Sequence, residues 1–318
     1  DIFGHEAGDE VLKAVANTVQ AQTTGGDVVI RWGGEEILIL KSSMSLLDAW
    51  LWAESLRCRI ESLTVESHGA RINLTASMGV THLPTAALDD DAIAEADKAL
   101  YLAKSDGRNA VDPVDKVWIG DEVHTVGKRD DLNLLQKRDT LLERLHQRLG
   151  PTQWNHITTH CTTTADMAVQ IARLMSRDEQ EQRRLYTSAM FHDIGKCIIP
   201  ELLLAKPRPL ETMERRVMAS HSRFSRWIAS ELGADAGMCA DIGLHHSRYD
   251  DPNEKQGGKH VSLSARILTV ADAVVTMLDE RPYQQAKTLS AALYELRHER
   301  GRQFDPYVVD AAHRLESI

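Results

Sequence analysis

The sequence predicts an α+β sheet domain followed by an all-α domain. Three observations carry this reading. Up to Asp112, helical and strand periodicities alternate. After Pro151 every apolar stripe has helical spacing. Between them lies a stretch that first carries Pro113, Gly120 and Gly127 and then becomes charged. The expected organisation is therefore a domain over 1–112, a largely helical linker over 113–150, and a second domain over 151–318.

In the first part, Val11, Leu12, Val15 and Val19 give Glu10–Val19 a helical stripe. Asp27–Leu40 reads as strand, turn, strand, with Gly33-Gly34 at the turn. Leu46–Ser62 follows as a helix, Ile72–Val80 as a strand, and Ile93–Lys104 as a helix ending near Gly107. Asp112–Gly127 reads as connecting structure. In Asp130–Leu149, Leu134, Leu135, Leu141, Leu142, Leu145 and Leu149 form a stripe that suits a linker or dimer helix, or a helix packed on its own domain. In the last part Ala168, Ile171, Ala172 and Met175 follow i, i+3, i+4, i+7, and Val217–Leu232 and Leu263–Leu278 carry similar stripes.

Composition narrows the function classes. A chain of 318 residues with 42% apolar residues can build two sizeable cores, and aromatic residues at 5% leave these to aliphatic side chains. No apolar run approaches the roughly 20 residues of a membrane span, and no secretory signal opens the chain. The chain begins at Asp1 rather than Met, which reads as a fragment. Cys58, Cys161, Cys197 and Cys239 are widely spaced without a CxxC pair, as in reduced thiols of a cytoplasmic protein. The net charge is −10. Residues 1–112 hold 9 basic and 18 acidic residues, and the remainder 28 basic and 29 acidic. An acidic first half argues against binding DNA through its backbone. It leaves room for small phosphate ligands, because divalent metals can supply the positive charge.

The strongest chemical signal is His192-Asp193 in FHDIGK, where adjacent imidazole and carboxylate groups can both reach a divalent ion. His160, His221, the pair His245-His246 and Asp272 lie in other apolar helical segments, where unpaired polar groups would be costly. His156 lies four residues before His160, on the same helical face.

These residues carry a resemblance. LYTSAMFHDIGKCIIPELLLAKPRPL, MASH, LHH, SARILTVADAVVTML, ERPY and GRQFDP occur in the order of the HD phosphohydrolase superfamily, and the finer pattern resembles its HD-GYP branch of cyclic di-GMP phosphodiesterases. The resemblance implies an all-α domain with two divalent metals, iron, manganese, zinc or nickel. His160, His192, Asp193 and Asp272 would surround one metal. Asp193 would bridge to a second, held by His221, His245 and His246. The paired metals would activate water for attack on phosphorus. Asp193 and Lys196 would be the catalytic residues, with Lys196 offsetting charge on the attacked phosphate. Arg281 would hold a ligand phosphate. His156 stands where three-metal members carry Glu, so a third ion and a merely neighbouring histidine are both readings of it. The chain departs from the branch in SRYDDPNEKQGGKH, which lacks Gly-Tyr-Pro, in Gln284 and Gln285 where basic residues are usual, and in Ser225 at a usual glycine position.

FGHEAGDEVL, RWGGEEIL, INLTASMGV and ADKALYLAKSDGRNAV similarly resemble the GGDEF family of diguanylate cyclases. Gly33 and Gly34 would let a nucleotide approach the backbone, and Glu35 and Glu36 would present carboxylates to magnesium. The resemblance makes Glu35 a metal ligand, Asp9 the guanine reader, and Lys104 and Arg108 phosphate contacts. The family's first strand would lie before Asp1. Asp27 sits where the inhibitory product site has its Asp, but Thr24 replaces that site's Arg, so product inhibition is not expected.

The leading expectation is a cyclic-dinucleotide signalling protein. Its HD domain would hydrolyse cyclic di-GMP to pGpG or GMP, and its GGDEF-like domain would regulate, bind GTP, or act as a cyclase in the intact protein. A homodimer is the expected assembly. Two other readings stand beside it: a phosphohydrolase of another cyclic dinucleotide or phosphoester, and a degenerate nucleotide receptor or scaffold.

Overall fold

The computed structural model describes residues 3–83, 90–251, 261–280 and 285–317. It divides into two compact units, Asp1–Trp118 and Ile119–Ile318. No helix among the described residues is long and apolar enough to cross a membrane.

The first unit is α+β. Helix α1 (Gly4–Gln20) precedes an antiparallel pair, β1 (Val28–Arg31) and β2 (Ile37–Leu40), in register from Val28↔Leu40 to Arg31↔Ile37. Helix α2 (Leu46–Glu61) starts at Ser45, whose side chain accepts from the Asp48 N–H, and it buries Trp50, Ala53, Leu56 and Ile60. Strands β3 (Thr64–Ser67) and β4 (Ala70–Asn73) form a second hairpin. Its two central residues, His68 and Gly69, both have positive φ, the twist that a tight hairpin requires. Strand β5 (Met78–Val80) pairs in parallel with β6 (Val111–Pro113), and helix α3 (Asp90–Ser105) lies between them in the chain. A Cβ on Gly79 would stand 2.1 Å from the Ala96 carbonyl oxygen, so only glycine lets α3 lie this close to β5. Leu56 and Ile60 meet Val15, Val19, Ile37 and Ile39 in this unit's core.

Two sequence expectations are corrected here. Ile72–Val80 is not one strand: it contains the end of β4, an irregular stretch, and β5. Asp112–Gly127 is not connecting structure: Val111–Pro113 is β6, and Val114–Gly127 is helix α4. Pro113 and the glycines suggested breaks, yet Pro113 closes the edge strand and precedes the helix. The overlooked signal is Ile119, Val123 and Val126 at i, i+4, i+7, all buried. The fully buried ammonium of Lys116 reaches Asp112 at 2.7 Å and Asp106 at 3.2 Å.

The second unit is helical. Its elements are α5 (Leu134–Leu145), α6 (Pro151–Asn155), a π turn over His156–His160, α7 (Cys161–Leu174), α8 (Glu179–Phe191), a 3-10 turn over Ile194–Cys197, α9 (Glu201–Leu204), α10 (Thr212–Glu231), α11 (Ala236–Gly243), α12 (Leu263–Leu278), α13 (Leu289–His298) and α14 (Pro306–Ala312). The core is aliphatic, as the composition requires. Ala168 and Ile171 of α7, Leu268 and Val274 of α12, Leu293 of α13 and Val308 of α14 are all buried in it. Asn133 and Gln136 cap α5 reciprocally, as Asp178 and Glu181 cap α8. Leu141, Leu142 and Leu145 of the linker stripe are buried. In the same helix Arg138 donates to the carbonyls of Met190 and Ile157, which favours the packed-helix reading.

A candidate metal centre

Five segments deliver the site. The π turn between α6 and α7 carries His156 and His160. Wide turns of this kind recur at functional sites because they re-aim side chains within a continuous helix. Helix α8 ends at Phe191, so His192 is its C-cap. Asp193 follows with φ −108° and ψ 3°, in the sparsely populated bridge region. Helix α10 presents His221, the end of α11 is followed by His245-His246, and α12 presents Asp272.

These side chains converge. His160 Nε2 lies 3.0 Å from Asp272 Oδ1 and 3.7 Å from Asp193 Oδ2. His192 Nε2 lies 3.5 Å from Asp193 Oδ2 and 3.7 Å from Asp272 Oδ1. The other oxygen of Asp193, Oδ1, lies 3.2 Å from His221 Nε2. His221 Nε2 is in turn 3.3 Å from His245 Nε2 and 3.2 Å from His246 Nε2. The Lys196 ammonium is 2.5 Å from Asp193 Oδ2 and 3.3 Å from His156 Nδ1. The ligand atoms form four overlapping triads: His160, His192 and Asp272; His221, His245 and His246; and, through Asp193, both His156 with His160 and His192 with His245.

The tautomers follow from the outer contacts. His192, His221 and His245 each donate Nδ1–H to a carbonyl three residues earlier, those of Ala189, Met218 and Ile242, at 2.6–2.7 Å. A carbonyl only accepts, so each Nδ1 carries a proton and each ring turns Nε2 inward, where its lone pair is free once the ring is neutral. Two such lone pairs 3.3 Å apart repel unless a cation lies between them. His192 Nε2 and Asp193 Oδ1 are buried without a hydrogen-bond partner, which a bound metal would provide. The donor set thus fits divalent metal ions.

The electrostatics agree. Burial opposes a charge on His160, but Asp272 and Asp279 outweigh it and hold its pKa at about 9. Burial likewise opposes a charged His192, and Asp193 raises it nonetheless. Asp193 and Asp272 remain well below the usual carboxylate range despite burial, Asp193 chiefly because of Lys196 and Asp272 chiefly because of His160. Burial, with His246 and His192 beside it, keeps His245 neutral. Without a metal, protons on His160 and His192 offset the buried carboxylates. Metal binding would displace them.

Supporting residues that sequence reading missed hold the frame. The buried Gln153 amide donates to the carbonyl oxygens of Lys196, Cys197 and Ile199 at 3.2–3.3 Å and, for Ile199, 2.8 Å. Ser225, a departure from the family pattern, accepts from the Gly195 N–H at 2.8 Å. A single Gln or Ser carries no distinctive sequence signal, whereas Gly195 in HDIGK does. A Cβ there would lie 2.3 Å from the His221 carbonyl oxygen and 2.5 Å from the Ser225 nitrogen. Gly195→Ala is therefore expected to force α10 away from the His192-Asp193 turn. Thermal or denaturant unfolding should show a loss of about 1–3 kcal/mol or more, with metal retention reduced.

A cavity of about 420 Å³ opens over the cluster, lined by His156, Lys196, His221, His246 and Asp272 at one part and by Lys206, Glu295, Glu299 and Gln303 elsewhere. Arg281 and Gln284 lie outside the described residues, as does 252–260 of the altered loop.

In the first unit the loop between β1 and β2 is closed by Trp32 N–H donating to the Glu36 carbonyl at 2.9 Å. Neither Gly33 nor Gly34 has positive φ, so the turn itself does not demand glycine. Nothing would meet a Cβ on Gly34, which leaves the backbone open to a ligand. Lys104 lies 3.6 Å from Glu36. Asp9, Glu35 and Arg108 are exposed. Asp27 is engaged by Lys41 at 2.5 Å and by the Thr24 N–H at 2.7 Å, which hold its pKa down at about 2. That carboxylate serves the local turn.

Residues 132–308 match the HD domain family. The chain belongs to that family. Residues 1–110 match the diguanylate cyclase GGDEF domain, so a GGDEF-type α+β domain precedes the all-α HD domain. Among relatives, the HD region is similar to the cyclic di-GMP phosphodiesterase response regulator RpfG of Xanthomonas campestris, 39% identical over 44% of this chain and 38% of that protein. It is also similar to 3'3'-cGAMP-specific phosphodiesterase 1 of Vibrio cholerae, 30% identical over 44% of this chain and 33% of that protein. The GGDEF region is similar to diguanylate cyclase DgcM of Escherichia coli, 39% identical over 35% of this chain and 26% of that protein. The chain spans less than half the length of each of these relatives.

Proposed function

We propose that the HD domain is a two-metal phosphodiesterase that hydrolyses cyclic di-GMP to pGpG or GMP. The observation that carries it is the single carboxylate of Asp193, whose Oδ2 faces His160 and His192 and whose Oδ1 faces His221. His160, His192, Asp193 and Asp272 would hold one metal, and Asp193, His221, His245 and His246 the other. Mixed imidazole and carboxylate donors suit iron, manganese, zinc or nickel. The metals, when bound, lower the pKa of water and stabilise both oxygens of an in-line displacement.

The chain's own residues do the rest. Lys196 lines the cavity beside Asp193 and offsets charge that develops on a phosphate oxygen. Arg281 is assigned to a second phosphate contact. His192 and His245 are fully buried, so their side of the centre is shielded from bulk water. In the GGDEF domain, Gly33, Gly34, Glu35, Glu36, Asp9, Lys104 and Arg108 are assigned to guanine nucleotide and magnesium. The Glu36–Lys104 approach supports a site at that loop. We place the functional boundaries at 1–112, 113–150 and 151–318.

A second reading keeps the enzyme and changes the substrate. It is favoured by SRYDDPNEKQGGKH in place of the Gly-Tyr-Pro stretch and by the similarity to a 3'3'-cGAMP-specific relative. Metal-loaded protein tested against cyclic di-GMP, 3'3'-cGAMP and cyclic di-AMP separates the two. The first reading expects the highest kcat/KM on cyclic di-GMP, and a higher value on either other dinucleotide overturns it.

A further inference from the structure

The imidazole of His160 is gripped from both nitrogens by one helix. Its Nε2 faces Asp272 Oδ1 at 3.0 Å, and its Nδ1 faces Asp279 Oδ2 at 3.2 Å. Asp272 lies on α12, and Asp279 is that helix's C-cap. Seven residues make almost two full helical turns, so both carboxylates point to the same side. Nε2 is the nitrogen turned toward Asp193 and Asp272. Nδ1 must then carry the proton, and it donates to an anionic oxygen.

This sets His160 apart from its neighbours. His192, His221 and His245 donate Nδ1–H to neutral backbone carbonyls. A carboxylate partner makes the opposite nitrogen a stronger donor to a metal and fixes the ring plane more firmly than a carbonyl does. The set built on His160 therefore has two carboxylate ligands, Asp193 and Asp272, and a third carboxylate one shell out. The set built on His221 has Asp193 alone, and its two fixed rings rest on carbonyls.

We infer that Asp279 is a positioning residue that makes the His160 site the tighter of the two metal sites, so that the sites fill and empty in sequence. This rests on the two-metal reading above. The order of loading follows from the charge held around each site, because a buried negative potential favours a divalent cation. Asp279 touches neither substrate nor metal and acts through His160.

The test titrates cobalt(II) into the metal-stripped full chain, following the visible ligand-field absorption in competition with a chelator. The original sequence is expected to bind in two resolved steps. Asp279→Asn is expected to weaken the first step by about 10–100-fold and to leave the second within a factor of about 3. Asp279→Glu, which keeps the carboxylate on a longer stem, is expected to recover part of that loss. A cooperative unfolding transition in each cobalt-loaded variant confirms folded protein. An unchanged first step in Asp279→Asn overturns the inference. Equal weakening of both steps also overturns it, since that is the mark of a merely structural role. An original chain that binds fewer than two ions sinks the two-metal reading itself.

Discussion

Asp193→Ala is expected to reduce cyclic di-GMP hydrolysis by at least about 10³-fold, because one carboxylate serves both ligand sets. Its Oδ2 lies 2.5 Å from Lys196, 3.5 Å from His192 and 3.7 Å from His160, while Oδ1 lies 3.2 Å from His221. The side chain is 2% exposed. Metal content should fall along with turnover, which separates this variant from one that loses only a proton-transfer group. Breaking a buried ion pair by removing one partner also costs about 3–5 kcal/mol of stability. Asp193→Asn keeps the shape and distinguishes the two losses: it should unfold at higher denaturant than Asp193→Ala yet remain equally inactive. Substantial turnover in Asp193→Asn would contradict the bridging role.

Lys196→Gln should lower kcat by about 10²-fold while metal content stays near that of the original chain. The ammonium lines the cavity and lies beside Asp193, where it can follow charge growing on a phosphate oxygen. Glutamine reaches nearly as far but brings no charge, so the loss should appear in kcat more than in KM. Steady-state kinetics with metal analysis on the same samples reads this directly. A variant that loses its metals instead would show that Lys196 acts by holding Asp193 in place.

Most of the metal centre was legible in the sequence because its ligands are chemically unusual where they stand. His192-Asp193 and His245-His246 break otherwise apolar helical segments, and a buried imidazole needs a partner. The structure brings His160, His192, Asp193, His221, His245, His246 and Asp272 together. What could not be read was the frame that aims them. Gln153, Ser225 and Asp279 are ordinary polar residues whose meaning depends on contacts 30 or more positions away in sequence. The π turn at His156–His160 was equally hidden, since the apolar spacing through it resembles that of an ordinary helix.

The fold was legible where patterns were long and regular. Leu263–Leu278 was expected as a helix and is helix α12 over those residues. It failed where short elements met punctuation. β3 and β4 are four residues each and are joined through His68-Gly69. In α4, Gly120 within the helix and Gly127 at its end obscured the stripe formed by Ile119, Val123 and Val126. A glycine in a helix costs only about 1 kcal/mol, and burial of three aliphatic side chains outweighs that.

The measurement that bears most directly on the two-metal phosphodiesterase is metal content combined with cyclic di-GMP hydrolysis, on protein purified without oxygen. The expected result is about two metals per chain, hydrolysis to pGpG or GMP, and loss of that hydrolysis on chelation with recovery when metal is restored. Folded protein that holds two metals and leaves cyclic di-GMP intact would contradict the assigned substrate. Folded protein that takes up no metal would contradict the metal centre itself.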